Sequence, residues 1–311
     1  MNELIYKYAL HNAIKYEGKA NPGAIIGKVL SENPELKSDM KSLGKEVSDV
    51  VKKVNSMKLK DQLEELKKMA PELLEEKKII EERKLPQLNN VKDHVILRIA
   101  PYPSGPLHLG NAKQVVINDE YAKIYKGKLI LVIDDTIGSE EKNIEPEAYD
   151  LIPDGLKWLN VNFDKNIVYK SDRLEIYYKY AEEIIKKGMA YTCHCESNTL
   201  RENRANGIEC ECRKNDNVLS EWHDMIKGKY KEGEIALRLK TSMQHPNPAF
   251  RDRVLFRVCE RTHPKVENKY RVWPMLEFSW AVDDYLLKIT HVIRGKELMI
   301  ESEMERYIWD I

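Results

Sequence analysis

Residues 95–111 read V-I-L-R-I-A-P-Y-P-S-G-P-L-H-L-G-N, and this stretch decides the fold. Its first six positions form a short, nearly continuous apolar run, which is typical of a strand buried in a parallel sheet. A loop rich in proline and glycine follows at 101–110, and residues 112–125 then predict a helix that Gly127 ends. A second buried strand is predicted at 129–133. Because two strands joined by a helix pack as parallel neighbours, the stretch predicts an α/β core.

The loop at 101–110 is the first candidate for a functional site, since ligands of open parallel sheets bind beyond the carboxyl ends of the strands. The dipole of the helix that follows favours a phosphate group at this place. His108 can donate a hydrogen bond to an oxyanion, and Gly110 lets a phosphate approach the backbone. A lone His-x-Gly is common by chance, so a proline-rich turn with a structural histidine is the other interpretation.

Composition excludes a few classes of protein. The 311 residues are 42% hydrophobic and 33% charged, with a formal net charge of zero. A zero net charge argues against a broad electrostatic attraction to nucleic acid, although a local basic face is compatible with it. No apolar run approaches the ~20 residues that span a bilayer. The first ten residues lack a signal-peptide pattern, so we expect a cytoplasmic protein.

The chain before the first strand predicts a helical N-terminal domain at residues 1–88. Apolar residues recur there at helical spacing, and Asn21-Pro22 predicts the start of a helix. The charged run at 75–84 is interpreted as a fraying helix followed by a linker.

Two further amphipathic helices are predicted after the second strand, at 146–159 and 172–187. Asp172 and Glu175 have the spacing of a capping box at the start of the second of these helices. Gly188 is placed to end it. We find no internal repeat.

Four of the five cysteines form two Cys-x-Cys pairs, Cys193 with Cys195 and Cys210 with Cys212. In a reducing compartment such clusters indicate a metal site more than disulfides. Four thiolates satisfy a structural zinc site, which would stabilise a region that has little apolar material of its own. Four free cysteines, or a degenerate site that has lost its metal, are the alternatives.

The stretch at 95–111 resembles the first signature of class I aminoacyl-tRNA synthetases, in the form found in glutamyl and glutaminyl members. Its four signature positions are His108, Leu109, Gly110 and Asn111, the last in place of the usual histidine. Further blocks follow the archaeal glutamyl pattern in the same order, at 19–28, 129–136, 191–195, 247–252 and 290–295.

This resemblance implies a glutamate–tRNA ligase. Such an enzyme activates L-glutamate with ATP and Mg²⁺ as glutamyl-adenylate and transfers it to the 3′ end of tRNA(Glu), or also of tRNA(Gln) in a non-discriminating form. The implied fold is a Rossmann-like parallel-sheet catalytic core whose halves lie at 93–190 and 270–311. The helical domain at 1–88 precedes it, and a zinc-bearing domain that binds the tRNA acceptor end is inserted at 191–269.

The resemblance also implies site residues. The signature region comprises Pro101, Tyr102, Pro103, Ser104, Gly105, Pro106, Leu107, His108, Leu109, Gly110 and Asn111. Within it, His108, Gly110 and Asn111 would be catalytic and stabilise charge on the α-phosphate. Substrate contacts would come from Arg98, Ala100, Ser104, Asp134 and Arg294. Two arginines beside one small ligand are expected where that ligand is anionic, and surface ion pairs are their other interpretation.

Other residues are carried over with less definite roles. Basic residues of the inserted domain are candidate phosphate contacts, namely Arg201, Arg204, Arg213, Lys227, Lys229, Arg238 and Lys240. The resemblance places the segment at 273–280 in a pocket wall, and packing in the core is the other interpretation of its residues. These residues are Trp273, Met275, Glu277 and Trp280. Asp283 and Asp284 resemble an acidic pair near the acceptor stem, and a solvated loop is their other interpretation.

The chain departs from the family pattern in three places. Asn111 replaces histidine, Val132 and Ile137 stand where arginine and a third acid are usual, and no lysine loop of the second signature follows Arg294. We therefore expect a C-terminally truncated chain that is inactive alone. The alternatives are a glutaminyl-type ligase, or a non-catalytic paralogue that binds tRNA or a partner protein through its N-terminal helices.

Overall fold

A computed structural model describes residues 2–74, 85–138 and 143–311. The linker predicted at 75–84 lies outside the described residues. The chain divides into two units, Met1–Lys84 and Leu85–Ile311. None of the helices in the described ranges combines the length and the apolar character that a membrane crossing requires.

The first unit consists of helices around one apolar core. Its α-helices are α1 (Asn2–Lys15), α2 (Pro22–Glu32), α3 (Met40–Asn55) and α4 (Leu59–Met69). The predicted start at Asn21-Pro22 is confirmed, because the Asn21 side chain accepts hydrogen bonds from the first amides of α2 and Pro22 occupies its first turn. Ile5, Val29 and Val47 are among the fully buried side chains of this core.

The second unit begins with the parallel sheet that residues 95–133 predict. Strand β1 (Ile96–Ile99), helix α5 (Leu109–Ile124) and strand β2 (Lys128–Ile133) follow one another, and β1 pairs in parallel with β2. Strand β3 (Val168–Tyr169) pairs in parallel with the other edge of β2. The α/β prediction is confirmed, and the carboxyl ends of these strands meet at one edge of the sheet.

Helices α6 (Ala148–Trp158) and α7 (Leu174–Lys186) confirm the two predicted amphipathic helices. The predicted capping box is wrong, because a 3₁₀ turn at Lys170–Arg173 precedes α7 and no side chain caps it. The carboxylate of Asp172 instead pairs with Lys265. Gly188 follows α7 with φ +73°, a left-handed conformation that suits a glycine at a helix end.

A second, antiparallel sheet has the strand order β4-β5-β6-β7. Its strands are β4 (Ala190–Cys193), β5 (Ala236–Leu239), β6 (Val254–Val258) and β7 (Val272–Pro274). The helices of this region are α8 (Ser197–Asn206), α9 (Val218–Ile226), α10 (Leu276–Leu286) and α11 (Met299–Asp310). Phe256 lies at the centre of its core, with the rings of Trp222 and Phe278 packed edge-on at 5.0 and 4.9 Å.

The segment after α10 returns to the parallel sheet. The Thr290 amide donates to the carbonyl oxygen of Ile96 at 2.9 Å, and the Thr290 hydroxyl accepts from the Ile96 amide at 2.9 Å. Ile293 is held by the side chain of Asn118, which donates to its carbonyl oxygen at 3.2 Å. These bonds bring Arg294 alongside the end of β1.

Candidate active site

A cavity of about 200 Å³ lies at the carboxyl ends of β1 and β2. The residues around it that were predicted from the sequence are Arg98, Ala100, Pro101, Tyr102, Leu107, Asn111, Asp134, Trp280 and Arg294. Ser104 and His108 are exposed and stand outside this lining. The cavity therefore joins the signature turn to both arginines and to the aspartate.

His108 and Asn111 cap the start of α5. The Nδ1 atom of His108 accepts from the Gly110 amide at 3.1 Å, and the His108 amide donates to Oδ1 of Asn111 at 3.2 Å. This reciprocal pair is a capping box, so both side chains stabilise the start of α5. Because Nδ1 accepts, the proton of a neutral imidazole is on Nε2, which is left to donate to a ligand.

Gly110 leaves room for the imidazole ring. A Cβ atom at this position would lie 2.9 Å from Cε1 and 3.1 Å from Nδ1 of His108. Such distances are shorter than van der Waals contact, so any side chain here displaces the ring from the helix start. The glycine therefore lets the His108 ring keep its place at the helix start, where Nδ1 accepts from the Gly110 amide.

Arg98 makes a buried, bidentate ion pair with Asp284 of α10. Its Nε donates to Oδ1 at 2.6 Å and its Nη2 to Oδ2 at 2.9 Å. Burial acts to lower the pKa of Arg98, but the hydrogen bonds and charge of Asp284, together with the charges of Glu305 and Asp134, outweigh it, so the pKa is raised. The solvated-loop interpretation of Asp283 and Asp284 is wrong, since both are buried in α10.

Arg294, which also lines the cavity, forms an ion pair with Glu305 of α11. Its Nη1 donates to Oε1 of Glu305 at 2.8 Å, and its Nη2 donates to the Ser302 hydroxyl at 2.6 Å. Burial raises the pKa of the Glu305 carboxyl, and Arg294 opposes this effect. The side chains of Arg98 and Arg294 are only 5% and 6% exposed, so their interpretation as surface ion pairs is wrong.

Asp134 is held by Lys170, a residue that the sequence did not single out. The Lys170 ammonium is fully buried and donates to Oδ2 of Asp134 at 3.1 Å and to the Ser279 hydroxyl at 2.7 Å. Burial lowers the pKa of Lys170, and Asp134 acts against this shift. The other oxygen of Asp134, Oδ1, accepts from the Thr136 hydroxyl at 3.0 Å.

The loop after β2 is fixed through the neighbouring Asp135. Its carboxylate accepts from the amide and hydroxyl of Ser171 at 2.9 and 2.7 Å and from the Tyr149 hydroxyl at 2.9 Å. The carbonyl oxygen of Asp135 lies 2.8 Å from Nε2 of His263, whose ring is stacked on Trp273. These contacts hold the backbone that presents Asp134 to the cavity.

The four predicted cysteines converge. The Sγ atoms of Cys193 and Cys195 lie 3.7 and 3.4 Å from that of Cys210, and all four sulfurs, with that of Cys212, lie within 4.8 Å of one another. Tetrahedral zinc with Zn–S bonds of about 2.3 Å requires sulfurs about 3.8 Å apart, so the donor set fits zinc. Nε2 of His194 is instead hydrogen-bonded to Oε2 of Glu221 at 3.2 Å, and His194 is not part of this group of ligands.

Arg238 is part of the structure behind the cysteines. It is buried, its Nη1 lies 3.7 Å from Sγ of Cys193, and its Nε donates to the carbonyl oxygen of Asp252 at 2.9 Å. Its prediction as a phosphate contact is therefore wrong. Arg201 and Lys227, by contrast, have exposed side chains.

This geometry defines an open α/β sheet with a cavity at the carboxyl ends of its strands, the place where such sheets bind ligands. Residues 94–310 match the family of class I tRNA synthetases (E and Q), catalytic domain. The chain belongs to this family.

Curated relatives extend the match to the whole chain. The glutamate–tRNA ligase of Methanothermobacter marburgensis is 45% identical over 312 residues, which are 99% of this chain and 55% of the relative. That of Thermococcus onnurineus is 47% identical over 316 residues, which are 100% of this chain and 55% of the relative. The chain thus spans about half the length of the curated relatives that it matches.

Two solved structures share the fold. A glutamate tRNA ligase from Elizabethkingia meningosepticum, in complex with its amino acid, aligns with a TM-score of 0.52 and 21% identity over 70% of this chain and 47% of its own. A glutamate-tRNA synthetase from Elizabethkingia anophelis aligns with the same TM-score and identity over 70% of this chain and 48% of its own. At this identity the likeness concerns the fold alone.

Proposed function

We propose that the protein acts as a glutamate–tRNA ligase. It would activate L-glutamate with ATP, supplied with Mg²⁺, and transfer the glutamyl group to the 3′ end of tRNA(Glu). The observation that carries this proposal is the cavity at the strand ends, which brings Arg98, Arg294 and Asp134 to the start of α5. Family membership and the relatives named as glutamate–tRNA ligases support it.

Glutamate binding follows from the charges of the cavity. Asp284 engages the Nε and Nη2 atoms of Arg98, so the Nη1 side of that fork lies outside the ion pair and can donate to a ligand carboxylate. Arg294 provides a second cation. Asp134 is suited to accept from the ligand ammonium. Two cations beside one small ligand favour glutamate over glutamine, whose side chain carries no charge.

ATP would bind with its phosphates at the start of α5, where the helix dipole and backbone amides favour anions. A glutamate carboxylate oxygen then attacks the α-phosphorus, the bond to the bridging oxygen breaks, and pyrophosphate leaves. The Nε2–H of His108 would donate to the oxyanion that develops on the α-phosphate, and no proton need be transferred in this step.

The region from 191 to 269 would contact the acceptor end of tRNA. Its exposed Arg201 and Lys227 are placed to meet phosphates, which position a nucleic acid without reading its sequence. The four cysteines would hold a structural zinc ion, whose role is to stabilise the fold of this region.

Calorimetric titration of the 311-residue protein tests the ligand part of this proposal. We expect L-glutamate to bind at least about tenfold more tightly than L-glutamine, since one charged contact is worth ~1.4 kcal/mol or more. His108→Ala should weaken binding of a non-hydrolysable ATP analogue, while His94→Ala, which changes an exposed histidine elsewhere, should not. A folded protein that binds neither glutamate nor the analogue would overturn the proposal.

A further inference from the structure

Trp280 lies among three positive charges. The guanidinium carbons of Arg98 and Arg294 are 4.7 and 4.8 Å from the centre of its ring, and the Lys170 ammonium is 5.2 Å from it. Trp280 is 6% exposed and forms part of the cavity lining. These distances are within the range at which an aromatic ring attracts a cation.

The three cations come from separate parts of the chain. Arg98 is in β1, Lys170 follows β3, and Arg294 lies in the segment beside β1. Like charges close together repel one another, and the described residues give each of these cations one carboxylate as an ion-pair partner: Asp284 for Arg98, Asp134 for Lys170 and Glu305 for Arg294. The ring of Trp280 is close to all three, so it is placed to reduce their repulsion.

The indole is not held by a hydrogen bond of its own. Within the described ranges, Trp280 is the one residue of the cavity lining with a buried side-chain polar atom that lacks a partner, its Nε1. A buried N–H without an acceptor is unfavourable, and phenylalanine would avoid that cost. Tryptophan is, however, the ring that binds cations best, which gives a physical reason for its presence here.

We propose that Trp280 is a positioning residue of the anion subsite. Its ring holds the guanidinium groups of Arg98 and Arg294 against one wall, so that the N–H donors outside their internal ion pairs converge on one ligand carboxylate. That the ligand is glutamate rests on the proposed function. The placement of the two arginines does not depend on it.

The placement is tested without any ligand. A ring at these distances shifts the side-chain N–H signals of both arginines in a proton–nitrogen NMR spectrum, and each signal is assigned by its loss in Arg98→Lys or Arg294→Lys. Trp280→Leu should remove the shifts, and Trp280→Phe should retain part of them. Trp158→Leu and Trp158→Phe are matched controls, since Trp158 is 85% exposed and lies outside the cavity lining.

Glutamate titrations of the same variants test the consequence. Trp280→Leu should weaken binding of L-glutamate about tenfold or more, because two cation–ring contacts are lost, and Trp280→Phe should weaken it by less than about threefold. Unshifted arginine signals in the wild type, or a Trp280→Leu variant that is folded and binds glutamate as the wild type does, would overturn the inference. A wild type that binds no glutamate overturns the proposed function instead, and the arginine spectra then decide the placement alone.

Discussion

Arg98 and Asp284 are 186 residues apart in the sequence and form an ion pair whose side chains are 5% and 1% exposed. The pair connects the first strand of the parallel sheet to α10. Its two hydrogen bonds match the fork of a guanidinium to both oxygens of a carboxylate. Removing water from two charges is unfavourable, and the pair recovers this free energy only while both partners are present.

Asp284→Asn should therefore lower the free energy of unfolding by about 3 kcal/mol or more, since it leaves the buried guanidinium without a counter-charge. Urea denaturation followed by circular dichroism measures this. Asp154→Asn is the matched control, because the Asp154–Lys157 pair has both side chains 68% exposed and should contribute less than about 1 kcal/mol. Equal losses in the two variants would contradict the prediction.

Zinc content tests the cysteine cluster. We expect the purified protein to carry about one zinc ion per chain and to unfold at a lower temperature after chelation, because a structural zinc ion contributes directly to folding. Cys210→Ser should lose the metal, whereas Cys259→Ser, which changes a buried cysteine outside the cluster, should keep it. Mass spectrometry of the metal provides the measurement, and equal zinc in the two variants would be evidence against the site.

The sequence predicted what depends on local pattern. Apolar runs that end in turn residues located β1 and β2, and with them α5 between the two strands. A strand buried on both faces has apolar residues at nearly every position, and this makes its sequence recognisable. The spacing of the cysteines predicted their convergence, because each Cys-x-Cys pair already places two sulfurs close together.

The partners of the site residues could not be predicted in the same way. Lys170 resembles any charged residue at the start of a helix, and only the pairing of β3 with β2 buries it beside Asp134. Asp284 was open to interpretation as a solvated loop because consecutive acids are usually exposed. Asp284 is buried because α10 places it against Arg98. These two residues are too far apart in the sequence for any local pattern to indicate their contact.

Gly110→Ala tests the packing inside the signature turn. In the middle of a helix with free space, such as at Gly44, alanine should raise the free energy of unfolding by up to about 1 kcal/mol. At Gly110 the methyl group displaces the His108 ring, and loss of that cap offsets the gain by about 1 kcal/mol. Urea denaturation of Gly110→Ala and Gly44→Ala should show stabilisation in the second variant alone. A comparable increase in both would mean that the ring does not need the glycine.

His263 should make stability depend on pH. Its Nδ1 accepts from the amides of Lys265 and Val266 at 3.1 and 3.2 Å, so a proton on Nδ1 breaks both bonds. Burial lowers the pKa of His263, and the nearby carbonyl and carboxylate of Asp135 oppose this shift.

The sign of the pH effect follows from that direction. The unfolded chain takes up this proton near the ordinary pKa of about 6.5, and the folded protein does so only at lower pH. The contribution of neutral His263 to the free energy of unfolding is therefore fully present above about pH 6.5. It is lost as the pH falls through the pKa that His263 has in the folded protein. Urea denaturation at several pH values from about 7 to 5 should show a falling free energy of unfolding. His263→Gln, which cannot titrate, should be less stable at pH 7 and show a shallower fall. A slope unchanged from the wild type would assign the effect to other groups.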